Sequence, residues 1–128
     1  MAGVIILLVL VVVIILLTRK SPKFITTAHE GAFPGELTLE RCEYKSRTGT
    51  EYQAECGMLV VNEDHSDPNS RLVELPVKVI HSSSVTPQEP IFMFGGGPGA
   101  SNMGHKPQDA LLAEHDVVLI GYRGADGN

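Results

Sequence analysis

Pro90-Ile91-Phe92-Met93-Phe94-Gly95-Gly96-Gly97-Pro98-Gly99-Ala100-Ser101 decides how this chain is read. The first five residues have the length and aromatic content of a buried strand. Four glycines and a proline then fall within five positions. Glycine admits φ > 0 and lets another group come close to the main chain. Pro98 fixes one φ and removes one N–H, so the N–H groups that remain are aimed. A strand ending in aimed backbone donors is a place to hold developing negative charge. The plain alternative is a glycine-rich loop with no chemistry, which would cost chain entropy to no purpose.

Three chemistries use such a loop. A phosphate loop needs G-x-x-x-x-G-K-[ST], and no Gly-Lys pair follows; Lys106 comes after His105. A dinucleotide fingerprint fits Gly95-x-Gly97-x-x-Ala100, but it needs an acid at the end of the next strand, and Asp116 stands at the start of it. The third is an oxyanion hole built from the loop after a sheet strand. Here the run resembles the His-Gly-Gly-Pro-Gly motif of the proline iminopeptidase and tripeptidyl-aminopeptidase group of α/β-hydrolases. The resemblance implies an α/β fold, with this chain as the N-terminal part of an α/β-hydrolase sheet. It implies an acyl-transfer serine hydrolase acting on a small peptide or ester substrate, with no cofactor and no metal. It also makes the residue before the motif's proline, Gly97, the oxyanion donor. The Pro98 ring agrees, because it pushes Gly97 out of the α region. Gly96 is the second choice, and Gly95, Pro98 and Gly99 support the turn.

Downstream, residues 107–115 begin with Pro107 and carry the early acid Asp109 and the pair Leu111 and Leu112. This predicts a short helix crossing over between two parallel strands. Residues 116–122 read as a buried strand. The following residues, 121–128, resemble the family's Asp-Gln-Arg-Gly-x-Gly-x-Ser turn. Arg123 and Gly124 match it; Gly121, Tyr122 and Asn128 depart from its commoner letters.

Upstream, residues 37–43 suggest a short edge strand and residues 57–61 a second one. Residues 71–80 alternate and are β-branched at Val73, Val77, Val79 and Ile80, which marks a third strand. Pro76 moves that third strand toward a sheet edge or a bulge. Residues 62–70 are rich in turn formers, and His65 lies beside Asp64 and Asp67 as part of a solvated turn. Cys42 and Cys56, the only cysteines, bracket a polar hairpin-like stretch with Gly49 near its middle. Paired, they imply an oxidising compartment; the alternative is two free thiols. The pairing is expected.

At the start of the chain, residues 2–17 are unbroken apolar sequence. As a helix they would be about 24 Å long. Residues 1–18 are therefore expected to be a signal-anchor helix holding the protein in a membrane through residues 4–17, with residues 19–36 as a tether and 37–128 as the hydrolase portion. Arg19, Lys20 and Lys23 place the body inside by the positive-inside rule. The cysteine pair and the exported habit of the resembled group place it outside, and a single-pass protein with an extracytoplasmic body is expected. Of the ten basic residues in 128, three sit in that cluster, whereas all fifteen acids follow Phe24. So acidic a body excludes nucleic acid as a partner.

An acyl-transfer enzyme also needs a Gly-x-Ser-x-Gly elbow, an acid and a histidine. Gly99-Ala100-Ser101-Asn102-Met103 falls one residue short. His105 and His115 read as surface residues. The nucleophile is expected beyond residue 128, so these residues carry part of an oxyanion hole and no triad. The alternative is a non-catalytic, membrane-tethered module whose glycine loop holds an anionic ligand.

Overall fold

The computed structural model describes residues 26–97 and 99–126. The expected anchor, the first part of the tether, Pro98 and the last two residues lie outside the described residues. The chain builds β1 (Thr26–Thr27), β2 (Leu37–Lys45), β3 (Glu51–Asn62), β4 (Leu72–Ile80), β5 (Gln88–Met93), α1 (Asp109–Leu112) and β6 (His115–Ile120). All six strands join one sheet in the order β2-β3-β4-β6-β5, with β1 paired to β4.

Two expectations are corrected here. An α/β architecture was expected, with the start of an α/β-hydrolase sheet; the structure is a mostly β domain, with 44% of the described residues in strands and 4% in helix. Loop length is the physical reason. Two-residue to medium turns can join only antiparallel neighbours, and a parallel pair needs a dozen or more connecting residues. Only the segment between β5 and β6 is that long. Accordingly β5–β6 is the sole parallel pairing among the described residues, and β1–β4, β2–β3, β3–β4 and β4–β6 are antiparallel. A single-pass membrane protein was also expected; among the described residues no helix is long and apolar enough to cross a membrane.

The β2–β3 hairpin runs from Leu37 opposite Leu59 to Lys45 opposite Glu51. Ser46 N–H donates to the Thr50 carbonyl at 2.9 Å, and Gly49 turns the chain with φ +94. Cys42 and Cys56 are joined by a disulfide, Cα to Cα 5.7 Å, diagonally across this ladder. Beside it, β2 crosses Gly57 so closely that a Cβ there would collide with the Thr38 carbonyl.

β4 is not an edge strand, as Pro76 had suggested. β3 pairs along one side of it, while the other side is divided: β1 takes Val73 and Glu74, and β6 takes residues 77–80. Pro76 falls in the gap. Its carbonyl accepts the Gly121 N–H at 2.8 Å, so its N–H-less nitrogen faces the same gap and breaks no ladder bond.

Residues 26–36 do not hang free of the sheet. Gly35 N–H donates to the Val60 carbonyl, and Val60 N–H to the Glu36 carbonyl. The His29 ring lies 3.2 Å from Glu74 and 3.4 Å from Glu36.

One face of the sheet carries the core of Tyr44, Ala54, Ile80, Val117 and Leu119, covered by Leu112 of α1. The expected helix over 107–115 is only four residues long. Gln108 gives it no side-chain cap, and Glu114 is already committed to β5 through Gln88 N–H at 2.8 Å. Asp109 fastens α1 to the hairpin instead, accepting from the Tyr52 hydroxyl at 2.9 Å and from the Thr48 hydroxyl. The bonds from Thr48, then Ser46, hold its carboxyl below the usual range against a smaller desolvation effect.

Two substitutions test the hairpin. Replacing Cys42 and Cys56 by serine opens a loop with a sequence separation of 14 and should lower unfolding stability by up to about 3 kcal/mol. A negligible change in urea midpoint would show that the ladder alone fixes the hairpin. Gly57→Ala should cost about 1–3 kcal/mol with the disulfide intact, the usual penalty of overpacking. An unchanged melting temperature would mean that β2 does not cross Gly57 as closely as described.

Candidate functional site: the glycine loop

The parallel pairing brings the carboxyl ends of β5 and β6 side by side, with Met93 opposite Leu119. The glycine loop leaves one end and the turn 121–126 leaves the other. In sheets with parallel strands, such adjacent carboxyl ends are where ligands are held.

Gly95 is bound at both its polar groups. Its N–H donates to Asn102 Oδ1 at 2.9 Å, and its carbonyl accepts the Tyr122 hydroxyl at 2.8 Å. Space behind it is also filled, since a Cβ built there would lie 3.6 Å from Asn102 Oδ1 and 3.6 Å from His105 Nδ1. Gly96 and Gly97 differ. Both are exposed, and their N–H groups meet no acceptor among the described residues. Gly97 has φ +113, which an L side chain rarely adopts, and its carbonyl accepts from Ala100 N–H at 3.2 Å. Gly99 turns the chain with φ +73. The Phe94 ring, 63% exposed, stacks on Tyr122 with centroids 6.5 Å apart.

From the sequence, Asn102 and Asp126 carry no role of their own. Asn102 is fully buried. Its Nδ2 donates to the Met93 carbonyl at 3.0 Å and to the Ile120 carbonyl at 2.8 Å, one from each parallel strand end. Asp126 Oδ2 accepts the Asn102 N–H at 2.9 Å and the Tyr122 N–H at 2.8 Å. Burial raises the Asp126 carboxyl. Bonds from the Ser101 hydroxyl and from the Tyr122, Asn102 and Met103 N–H groups outweigh it, so its pKa lies below the usual carboxylate range.

The remaining expected residues fall as follows. Arg123 reaches across to donate to the Glu63 carbonyl in the β3–β4 loop, where the Glu63 carboxylate pairs with Arg71. Gly124 turns the chain at φ +77. Cys42 and Cys56 lie in the hairpin and line no part of the glycine loop. Ser101 gives its hydroxyl to Asp126 and accepts from Met103 N–H, and no histidine meets it. His105 and His115, read as surface residues, are half-buried, and His115 Nδ1 lies 2.8 Å from the Glu89 carbonyl. Among the described residues no group of side chains is placed to hold a metal ion.

A depression of about 430 Å³ lies elsewhere, on the hairpin, with Arg41, Glu43, Lys45 and Glu51 in its lining. Its charges are of both signs on exposed strands. The glycine loop, which presents exposed backbone donors next to a Gly95 fixed at both polar groups, is the better candidate.

Asp126 makes the loop acid-sensitive. A carboxyl lowered by folding stabilises fully above its ordinary value near 3.8 and loses that stabilisation as pH falls through the lowered value. The near-ultraviolet signal of Tyr122 should therefore persist at pH 5 and fade below about pH 4. Asp126→Asn should flatten this transition while Asp109, also lowered, still titrates. An unaltered acid profile in Asp126→Asn would show that the carboxylate does not hold the turn.

Compared with protein-family models, with curated proteins and with solved structures, the chain gives no match in any of the three.

Proposed function

We propose that the glycine loop holds the oxyanion of an acyl-transfer reaction, that of a serine hydrolase acting on small peptides or esters. One observation carries the reading. Gly95 is fixed at both polar groups, while the next two N–H groups, of Gly96 and Gly97, meet no acceptor among the described residues. A donor held in one direction stabilises charge without reorganising when that charge develops. The resemblance of Gly95-Gly96-Gly97-Pro98-Gly99 to the peptidase motif supports the same chemistry. The mostly β architecture lends it nothing; the loop alone supports it.

The remaining chemistry has to be supplied from outside the described residues. A serine attacks the carbonyl carbon, its proton passes to a histidine, and the carbonyl oxygen becomes the oxyanion that the loop receives. Ser101 lacks that base, because no histidine among the described residues is hydrogen-bonded to it.

A fluorophosphonate probe tests this directly. The 128-residue chain alone should take up no label, whereas the polypeptide made from its own gene in its own cell should be labelled at one serine. In that labelled protein, Gly96→Val, at a residue with no positive φ and no atom within 4 Å of a built Cβ, should lower kcat by about 10²–10³-fold, the usual loss for one oxyanion donor, with little change in KM or Tm. Stoichiometric labelling of Ser101 in the short chain would overturn the division of labour. Absence of label on the native polypeptide would remove acyl transfer and leave a non-catalytic anion-holding loop.

A further inference from the structure

We propose that Tyr122 and Asn102 are positioning residues that aim one particular donor, the N–H of Gly96. The inference rests on the anion-holding reading of the loop and says which peptide does the holding.

A trans peptide is planar, and its N–H points opposite to its C=O. The Gly96 N–H shares a peptide plane with the Gly95 carbonyl. That carbonyl is bound by the Tyr122 hydroxyl at 2.8 Å. Wherever Tyr122 holds the oxygen, the Gly96 N–H is sent the other way. The preceding peptide is fixed as well, because Gly95 N–H donates to Asn102 Oδ1 at 2.9 Å. Both planes flanking Gly95 are thus set by side chains from two other segments. The plane carrying the Gly97 N–H has no such hold, since no described group binds the Gly96 carbonyl.

The two holding groups cannot easily turn. Asn102 uses both its Nδ2 protons on strand-end carbonyls and its Oδ1 on an N–H. Flipping the carboxamide would set its oxygen against two carbonyls and its amino group against a donor. The Tyr122 ring is stacked on Phe94, and its own N–H is tied to Asp126, the carboxylate that also takes the Asn102 N–H. A hydroxyl donating to the carbonyl of an amide also polarises that amide, so its N–H becomes a stronger donor. Tyr122 therefore both directs and strengthens the Gly96 N–H.

Tyr122→Phe is the decisive variant, because it deletes one hydroxyl and keeps the stacked ring. Uniformly ¹⁵N-labelled chain is titrated with sodium acetate at constant ionic strength, with inorganic phosphate as a second probe, while the Gly96 and Gly97 amide signals are followed. In the unaltered chain the Gly96 proton should move downfield saturably. Tyr122→Phe should weaken acetate binding about five- to tenfold, the effect of losing one hydrogen bond, and shrink the Gly96 shift with Tm nearly unchanged. Asn102→Ser, which keeps a smaller polar group, should weaken it at least as much; should it fail to fold, Tyr122→Phe still decides. Unchanged affinity and an unchanged Gly96 shift in Tyr122→Phe would overturn the inference. So would a response confined to Gly97, with the anion-holding reading left standing. No response at either glycine in the unaltered chain would bring down both.

Discussion

The sheet depends on a proline in its middle. Pro76 has no N–H, so one position along the inner side of β4 cannot join a continuous ladder. The chain answers by sharing that side between two strands, β1 at Val73 and Glu74 and β6 at residues 77–80. The Pro76 carbonyl is still satisfied, by Gly121 just past the end of β6. That bond decides where β6 stops, and so where the turn 121–126 begins. β5 pairs in parallel with β6, so the glycine loop emerges beside that turn. A backbone defect in one strand thereby sets the place of a loop two strands away.

The two ends of the sheet are secured by different means. At the hairpin end, a covalent bond joins Cys42 to Cys56, and Asp109 draws α1 onto Thr48 and Tyr52. The β4–β6 corner is closed by His81, whose ring lies 3.1 Å from Glu55 and 3.3 Å from Asp116. At the loop end nothing is covalent. Asn102 replaces the next step of the ladder, occupying the last carbonyl of each parallel strand at the point where the strands diverge. Buried carboxamides of this kind are costly unless every group is matched, and this one is matched throughout.

The elements that sequence reveals are those governed by local pattern. The β-branched alternation of residues 71–80 and the apolar run after Asp116 became β4 and β6 nearly as read. The break after Phe94 and the turn at Gly49 were visible because glycine and proline act on their own backbone. What escaped depended on partners far along the chain. β3 begins at Glu51, earlier than residues 57–61 indicated, because Gln53 and Glu55 look like loop until the partner strand is in place. Pro76 pointed to an edge because no local rule shows that two strands can share one side. Asn102 and Asp126 are 24 residues apart, and either letter alone says turn. The α/β architecture followed from the resemblance, and the lengths of the connections decided against it.

The crossover between β5 and β6 gives the glycine loop a particular place in the life of the folded chain. Hairpin contacts such as Tyr44 with Tyr52 close short loops, whereas Gln88 meets His115 only after a long one has closed. Among the described residues β5 is also the outermost strand, with one side unpaired and Phe92 and Phe94 largely exposed. Strands of that kind open first in local fluctuations, while the centre of a sheet stays protected. When β5 lifts, Met93 and Gly95 leave Asn102 together, and the donors lose their direction although the hairpin and disulfide remain whole. The population of competent loops therefore follows the local opening of one edge strand, a smaller free energy than that of unfolding the domain. Amide exchange would report it as a Gly95 N–H that exchanges faster than those of Ala54 or Val60.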